Sequence, residues 1–139
     1  MSFREKSAWI SFFSILLVFG IYFSGIGMAM AGRVDYSDVV RLFFKLVGLF
    51  IVLEIVLHVV VAARAPHEAR TPEDERERLI GLKADRVAAY VLSIGALVGI
   101  FPIHLGANVR DLAHAVLLAI VIAHLAKYAT AIVLHRRDA

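Results

Sequence analysis

The sequence predicts an all-α membrane protein, a four-helix transmembrane bundle that runs up-down-up-down. Of the 139 residues, 60% are hydrophobic, which is more apolar surface than a water-soluble domain of this size can bury. Four apolar runs approach or exceed the roughly 20 residues that a spanning helix requires. The length fits a single membrane domain, residues 1–139. The sequence contains no cysteine, which excludes disulfides, thiolate metal sites and iron–sulfur clusters.

Each apolar run is predicted to be one spanning helix. The first run carries no charged residue, the second contains Glu54 in its interior, and the fourth contains His124 and Lys127. The third is the shortest but extends backwards, because Ala84 continues its helical pattern. The four predicted spans cover residues 8–31, 42–63, 84–103 and 112–134.

The distribution of Lys and Arg predicts the orientation. Ten of them flank one set of helix ends, whereas three or four flank the other set. Because Lys and Arg concentrate in cytoplasmic loops, both termini and the charged loop at residues 64–83 are predicted to be cytoplasmic.

The first span also resembles a secretory signal. Arg4 and Lys6 precede the apolar run, and Ala29-Met30-Ala31 has the small-x-small form of a cleavage site. The run of 24 residues from Ala8 to Ala31 exceeds a usual signal core, so we expect it to remain as a span. Cleavage would leave three spans.

Small residues spaced four apart predict close helix packing. Span 1 has Gly20 and Ser24, and span 3 has Gly95 and Gly99. This spacing lets two backbones approach closely in lipid, where van der Waals contact stabilises association. Packing within the monomer and a homodimer seam both fit the pattern.

The loop at residues 64–83 is predicted to be partly helical. Thr71 has the chemistry of an N-cap and Pro72 that of a first helical residue, with acidic residues in the first turn. The helix would run on into span 3. It is either a solvated extension of that span or a docking surface for a cytosolic partner.

A polar cluster is expected inside the membrane. Glu54 lies ten residues before Arg64, which is about 15 Å at 1.5 Å per residue and near the bilayer centre. His58 follows at i+4 on the same face. His124 has a similar expected depth on span 4 and shares one helix face with Tyr128. The same arithmetic places Gly20 and Gly95 in this layer, where they would leave room or let the helices close.

Four interpretations of the cluster remain open. In the first, Glu54 simply pairs with His124 or His58, because buried polar groups usually find partners. In the second, it is the titrating acid of a proton or ion relay with both histidines. Glu54, His58 and His124 would suit zinc or iron. A haem between the two histidines is chemically sound, although six residues of depth, roughly 9 Å, separate them.

No enzyme is predicted. The sequence contains no P-loop, GxSxG, HExxH or dinucleotide fingerprint, and the first interpretation implies no cofactor. The basic residues stand at the ends of apolar runs rather than along a stripe, so the expected partner is the lipid bilayer and not nucleic acid. A second copy of the chain, or a membrane or cytosolic protein, is the other kind of partner expected.

The segment from Glu73 to Tyr90 carries a resemblance. It contains Asp-Glu-Arg-Glu followed by Lys-Ala-x-Arg and then Ala-Tyr as it enters span 3. With the four-span layout, it resembles a family of small bacterial membrane proteins of unknown function. The resemblance implies a bacterial inner membrane. It transfers no catalytic residue, and it does not reach Glu54 or His124.

These observations give three hypotheses for function. The first is a small inner-membrane protein without catalysis that acts through helix packing or association with partners. The second is a proton- or ion-coupled transporter or channel subunit that uses Glu54 with His58 and His124. The third is a redox subunit that binds haem or a metal.

Overall fold

The chain is all-α, with four helices long and apolar enough to cross a membrane. The computed structural model describes residues 3–67, 72, 74–106 and 108–137, and no strand occurs in these ranges. The predicted fold class, with its four spanning helices, is therefore confirmed by helix length and composition. The chain divides into two compact units, with the boundary along the sequence between Thr71 and Pro72.

The first unit, here called hairpin one, consists of α1 (Phe3–Met30) and α2 (Tyr36–Arg64). Its tight connection begins with Gly32, whose φ of 68° is readily adopted only by glycine. The amide of Gly32 donates to the Ala29 carbonyl and that of Arg33 to the Met28 carbonyl. This pair of bonds is a Schellman motif, which ends α1 with its last carbonyls satisfied.

A regular seam joins α1 to α2. The buried positions of α1 alternate in steps of three and four residues, as in the core of a coiled coil. Aromatic contacts between Phe19 and Phe50 and between Tyr22 and Phe43 fix the antiparallel register. The buried residues on this rhythm are Ala8, Ser11, Ile15, Val18, Tyr22 and Gly25.

The second unit, hairpin two, consists of α3 (Glu75–Ile100), a 3₁₀ turn (Phe101–Leu105) and α4 (Val109–Arg137). Pro102 ends the α-helical hydrogen bonding, because it has no amide hydrogen and its ring crowds the preceding turn. Gly106, with φ of 87°, then reverses the chain. Asn108 Oδ1 accepts from the Asp111 amide at 3.0 Å and so caps the start of α4.

The predicted start of the charged helix is wrong. Pro72 precedes the helix, which begins at Glu75 with Asp74 as its N-cap; Thr71, the predicted cap, lies outside the described residues. Asp74 Oδ1 accepts from the Glu77 amide at 2.6 Å. Aspartate caps a helix at least as well as threonine does. The helix then continues into span 3, as expected.

Candidate functional site

Three polar side chains meet on the seam of hairpin one, and we call them the Glu54 cluster. Ser11 Oγ donates to Glu54 Oε2 at 2.8 Å. His58 Nδ1 lies 3.5 Å from the same oxygen. Ser11 and His58 therefore both lie next to the same oxygen of the Glu54 carboxyl group.

The two helices place these groups by their periodicity. Ser11 occupies a seam position on α1 and is only 3% exposed. Glu54 and His58 are four residues apart and lie on one face of α2; their side chains are 20% and 36% exposed. Sequence reasoning found the pair on α2 but missed Ser11. The available signal was its place in the alternating three-and-four rhythm of α1.

The hydrogen bonds fix the form of the His58 ring. Its Nδ1 lies 2.8 Å from the main-chain oxygen of Glu54. A carbonyl oxygen can only accept, so Nδ1 carries the hydrogen and donates to it. In the neutral ring Nε2 then has no hydrogen and can take up a proton.

The second carboxyl oxygen of Glu54 has no hydrogen-bond partner among the described residues. Oε1 is buried and receives no hydrogen bond from any described residue. A buried carboxylate oxygen without a donor is costly, because the charge loses its water and gains nothing in exchange. The cluster therefore stabilises one oxygen of the carboxyl and leaves the other unsatisfied.

The contact with Ser11 gives a second measure of how far Glu54 lies from the helix ends. Ser11 lies three residues inside the predicted first span, or about 4.5 Å along the axis, and five residues after Lys6. On α2, ten residues separate Glu54 from the last helical residue, Arg64. The position of Glu54 near the bilayer centre stays a prediction.

The predicted layer of glycines does not form around the histidine and glutamate. Gly20 lies nine residues beyond Ser11 on α1, which is about 13.5 Å from the level of Glu54. In hairpin two Gly95 is level with Ala119, five residues before His124, or about 7.5 Å away. Neither glycine therefore shares the level of the polar side chain it was expected to flank.

His124 and Tyr128 belong to α4 of hairpin two. The ring of His124 is exposed, and its Nδ1 hydrogen-bonds the Ile120 carbonyl at 2.9 Å; Tyr128 is half-buried one turn later. The pairing of Glu54 with His124 stays a prediction.

The glycines of span 3 lie at the contact between α3 and α4. A Cβ atom on Gly95 would stand 2.9 Å from the Cβ of Ala119, and one on Gly99 would stand 3.3 Å from that of Ala115. Both are closer than carbon atoms ordinarily pack. The absence of side chains at Gly95 and Gly99 thus allows the two backbones of hairpin two to approach.

The small residues of span 1 have a different environment. A Cβ on Gly20 would meet no atom of the described chain within 4 Å. Ser24 is exposed, and its hydroxyl donates to the Gly20 carbonyl at 2.7 Å. An open apolar groove surrounds them on α1, lined by Phe13, Leu16, Leu17, Gly20, Ile21, Ser24 and Met28.

Lys127 of the fourth span makes an ion pair with Asp85 of the third. Its Nζ lies 2.5 Å from Asp85 Oδ1 across hairpin two, and the side chains are 38% and 59% exposed. Asp85 is one residue inside the predicted third span, so the pair lies close to that edge. The sequence alone does not predict this pair.

Within either hairpin, no three His, Asp or Glu side chains of the described residues come together. A metal site of Glu54, His58 and His124 stays a prediction, as does a haem between the two histidines, because these residues belong to different hairpins. Comparison with protein-family models, with curated proteins and with solved structures finds no match. The resemblance of the segment at residues 73–90 to a bacterial family likewise stays a prediction.

Proposed function

We propose that this multi-pass membrane protein acts through helix association in the bilayer, without a reaction of its own, and that a second copy is its partner. The open groove around Gly20 and Ser24 on α1 is the observation that carries the proposal. Small residues at this spacing favour close helix contact in lipid. The matching pair on α3 already packs against Ala115 and Ala119, whereas the pair on α1 is unused within the hairpin.

The shape of the groove supports association. Large apolar side chains, such as Phe13, Leu17 and Met28, surround a floor formed by Gly20 and Ser24. An incoming helix could insert a ridge of side chains between them. Because lipid tails are as apolar as leucine, the gain would come from packing and not from removal of water.

We also propose that the protein resides in a bacterial inner membrane with both termini in the cytoplasm. The Lys and Arg bias supports the orientation, and the resemblance at residues 73–90 supports the membrane. In this arrangement the first turns of α3, from Glu75 onwards, are in the cytoplasm and accessible to soluble proteins.

Energy transfer between copies in lipid vesicles tests the proposal. Two batches of the full chain, labelled with donor and acceptor, should show transfer that increases with the protein-to-lipid ratio. Gly20→Leu should weaken it, because overpacking a close contact costs about 1–3 kcal/mol. That cost is roughly a 5- to 150-fold increase in the dissociation constant.

Gly48→Leu is the matched control. Gly48 is a helical glycine of α2 that also has open space around it, so the substitution adds the same volume without filling the α1 groove. Transfer should survive in this variant. The proposal fails if wild-type copies show no concentration-dependent transfer, or if both variants lose it equally.

A further inference from the structure

We infer that the Glu54 cluster is a reversible proton-binding site, in which Glu54 holds the proton, His58 exchanges it and Ser11 positions the carboxyl. This goes beyond the association proposed above and does not depend on it. The inference rests on the contacts within hairpin one alone. Its ligand is a proton rather than a metal ion or an organic molecule.

The uneven environment of the Glu54 carboxyl is the first argument. Oε2 receives the Ser11 hydroxyl at 2.8 Å, whereas buried Oε1 has no partner in the described chain. A neutral carboxyl group loses less by leaving one oxygen unsatisfied than a carboxylate does. The Ser11 hydroxyl can donate to Oε2 whether or not the carboxyl carries a proton, so the same geometry accommodates both states, as reversible binding requires.

The position of His58 is the second argument. Its Nδ1 is 3.5 Å from Glu54 Oε2, and the ring is one turn nearer the predicted cytoplasmic end of α2. The half-exposed imidazole can accept a proton at Nε2 and become a cation. The hydrogen on Nδ1 then leaves its bond to the Glu54 main-chain oxygen and passes to Glu54 Oε2, which leaves a neutral ring with its hydrogen on Nε2 and a neutral carboxyl. One proton enters and one is transferred, so charge and atoms balance.

The ionisable residues of hairpin one that lie nearest the Glu54 cluster are outside it. On α1, the helix packed against Glu54, no ionisable side chain lies between Ala8 and Ile15. Glu5 is buried six residues before Ser11, and Arg4 and Lys6 stand beside it at the helix start. On α2 itself the ionisable neighbour is His58. The closest ionisable residues of both helices are therefore on the side from which a proton would enter.

Carbodiimide labelling of the purified full chain tests the inference. Dicyclohexylcarbodiimide forms a stable adduct with protonated carboxyl groups in apolar surroundings, and peptide mass spectrometry locates it. We expect one adduct, on Glu54, that forms quickly at low pH and progressively more slowly as the pH rises. Glu54→Gln should abolish it.

Variants of Ser11 and His58 examine the roles of these two residues. Ser11→Ala removes the hydrogen bond that the carboxylate accepts at Oε2, so labelling should persist to higher pH. Ser11→Thr keeps the hydroxyl and should restore the wild-type profile. Ser14→Ala is the matched control, because Ser14 is buried on the same helix and should leave the profile unchanged. His58→Gln should slow labelling after a rapid drop in pH, since it removes the exchanging group.

Several results would overturn the inference. Labelling that is absent at every pH would mean a carboxylate that never takes a proton, and labelling independent of pH would mean one that never releases it. An adduct on Glu5 would assign the proton to another residue. If sodium or potassium chloride protected Glu54 from labelling at constant pH, the ligand of the site would be a metal cation and not a proton. Because labelling is measured in dilute detergent, it is independent of the association experiment.

Discussion

The close approach of α3 and α4 at Gly95 predicts a specific loss of stability in Gly95→Ala. The new Cβ would lie 2.9 Å from the Cβ of Ala119 and 3.4 Å from its Cα. Carbon atoms pack best at about 3.5–4.0 Å, so the helices must separate by roughly 0.6 Å. Neither neighbour is the end of a flexible side chain that could turn away.

The magnitude follows from two opposing effects. Overpacking of this kind costs about 1–3 kcal/mol, whereas replacing a helical glycine by alanine gains about 1 kcal/mol. Gly95→Ala should therefore change stability by about 0 to 2 kcal/mol in the destabilising direction. Gly81→Ala, on the same helix with open space around it, should gain about 1 kcal/mol. The difference between the two variants isolates the clash.

Detergent unfolding of the full chain measures this difference. The sequence has no cysteine, so a pair introduced on α3 and α4 can be labelled specifically, and energy transfer between the labels reports separation of hairpin two. Adding Ala119→Gly to Gly95→Ala should recover part of the loss, because it removes the nearer atom. If Gly95→Ala and Gly81→Ala are equally stable, the helices do not approach at Gly95 as described.

Three further predictions concern caps, charges and orientation. Asp74→Ala should cost about 1 kcal/mol of local helix stability, seen as faster hydrogen exchange at Glu77; unchanged exchange would contradict the cap. A double-mutant cycle of Asp85→Asn and Lys127→Gln should give a coupling of at most about 1 kcal/mol, since both side chains are substantially exposed; a much larger value would mean that the pair is dehydrated. A reporter that is active only in the cytoplasm should be active when fused after Ala139. An inactive reporter would mean that the carboxyl terminus lies on the opposite side of the membrane.

The four helices could be predicted because their signal is local. Length and apolar composition are properties of each run alone, and they identify spans without knowledge of what packs where. Helix ends were less accurate for the same reason. Thr71 and Asp74 both have the chemistry of an N-cap, and the sequence offers no rule for choosing between neighbours three residues apart.

To predict which side chains pair within a hairpin, one must know the register of its two helices, and the register is not a property of local sequence. Glu54 was identified because an acid in an apolar run is unusual, but its donor is a serine, a common residue in membrane helices. Ser11 meets it because the turn after α1 and the aromatic contacts of the seam set how far α2 slides along α1. The ion pair of Lys127 was missed for the same reason, since Asp85 becomes its neighbour only when the second hairpin closes.

The chain order of the interhelical contacts has a consequence for synthesis. Ser11 precedes Glu54 by 43 residues, so the ribosome has already delivered the hydroxyl when the acid enters the membrane. In hairpin two the order is less favourable for insertion, because the charged residue Asp85 is synthesised before its partner Lys127. At about 5–20 residues per second, the wait lasts several seconds. Asp85 lies near the water-facing end of its span, so it can remain hydrated until its counter-charge arrives.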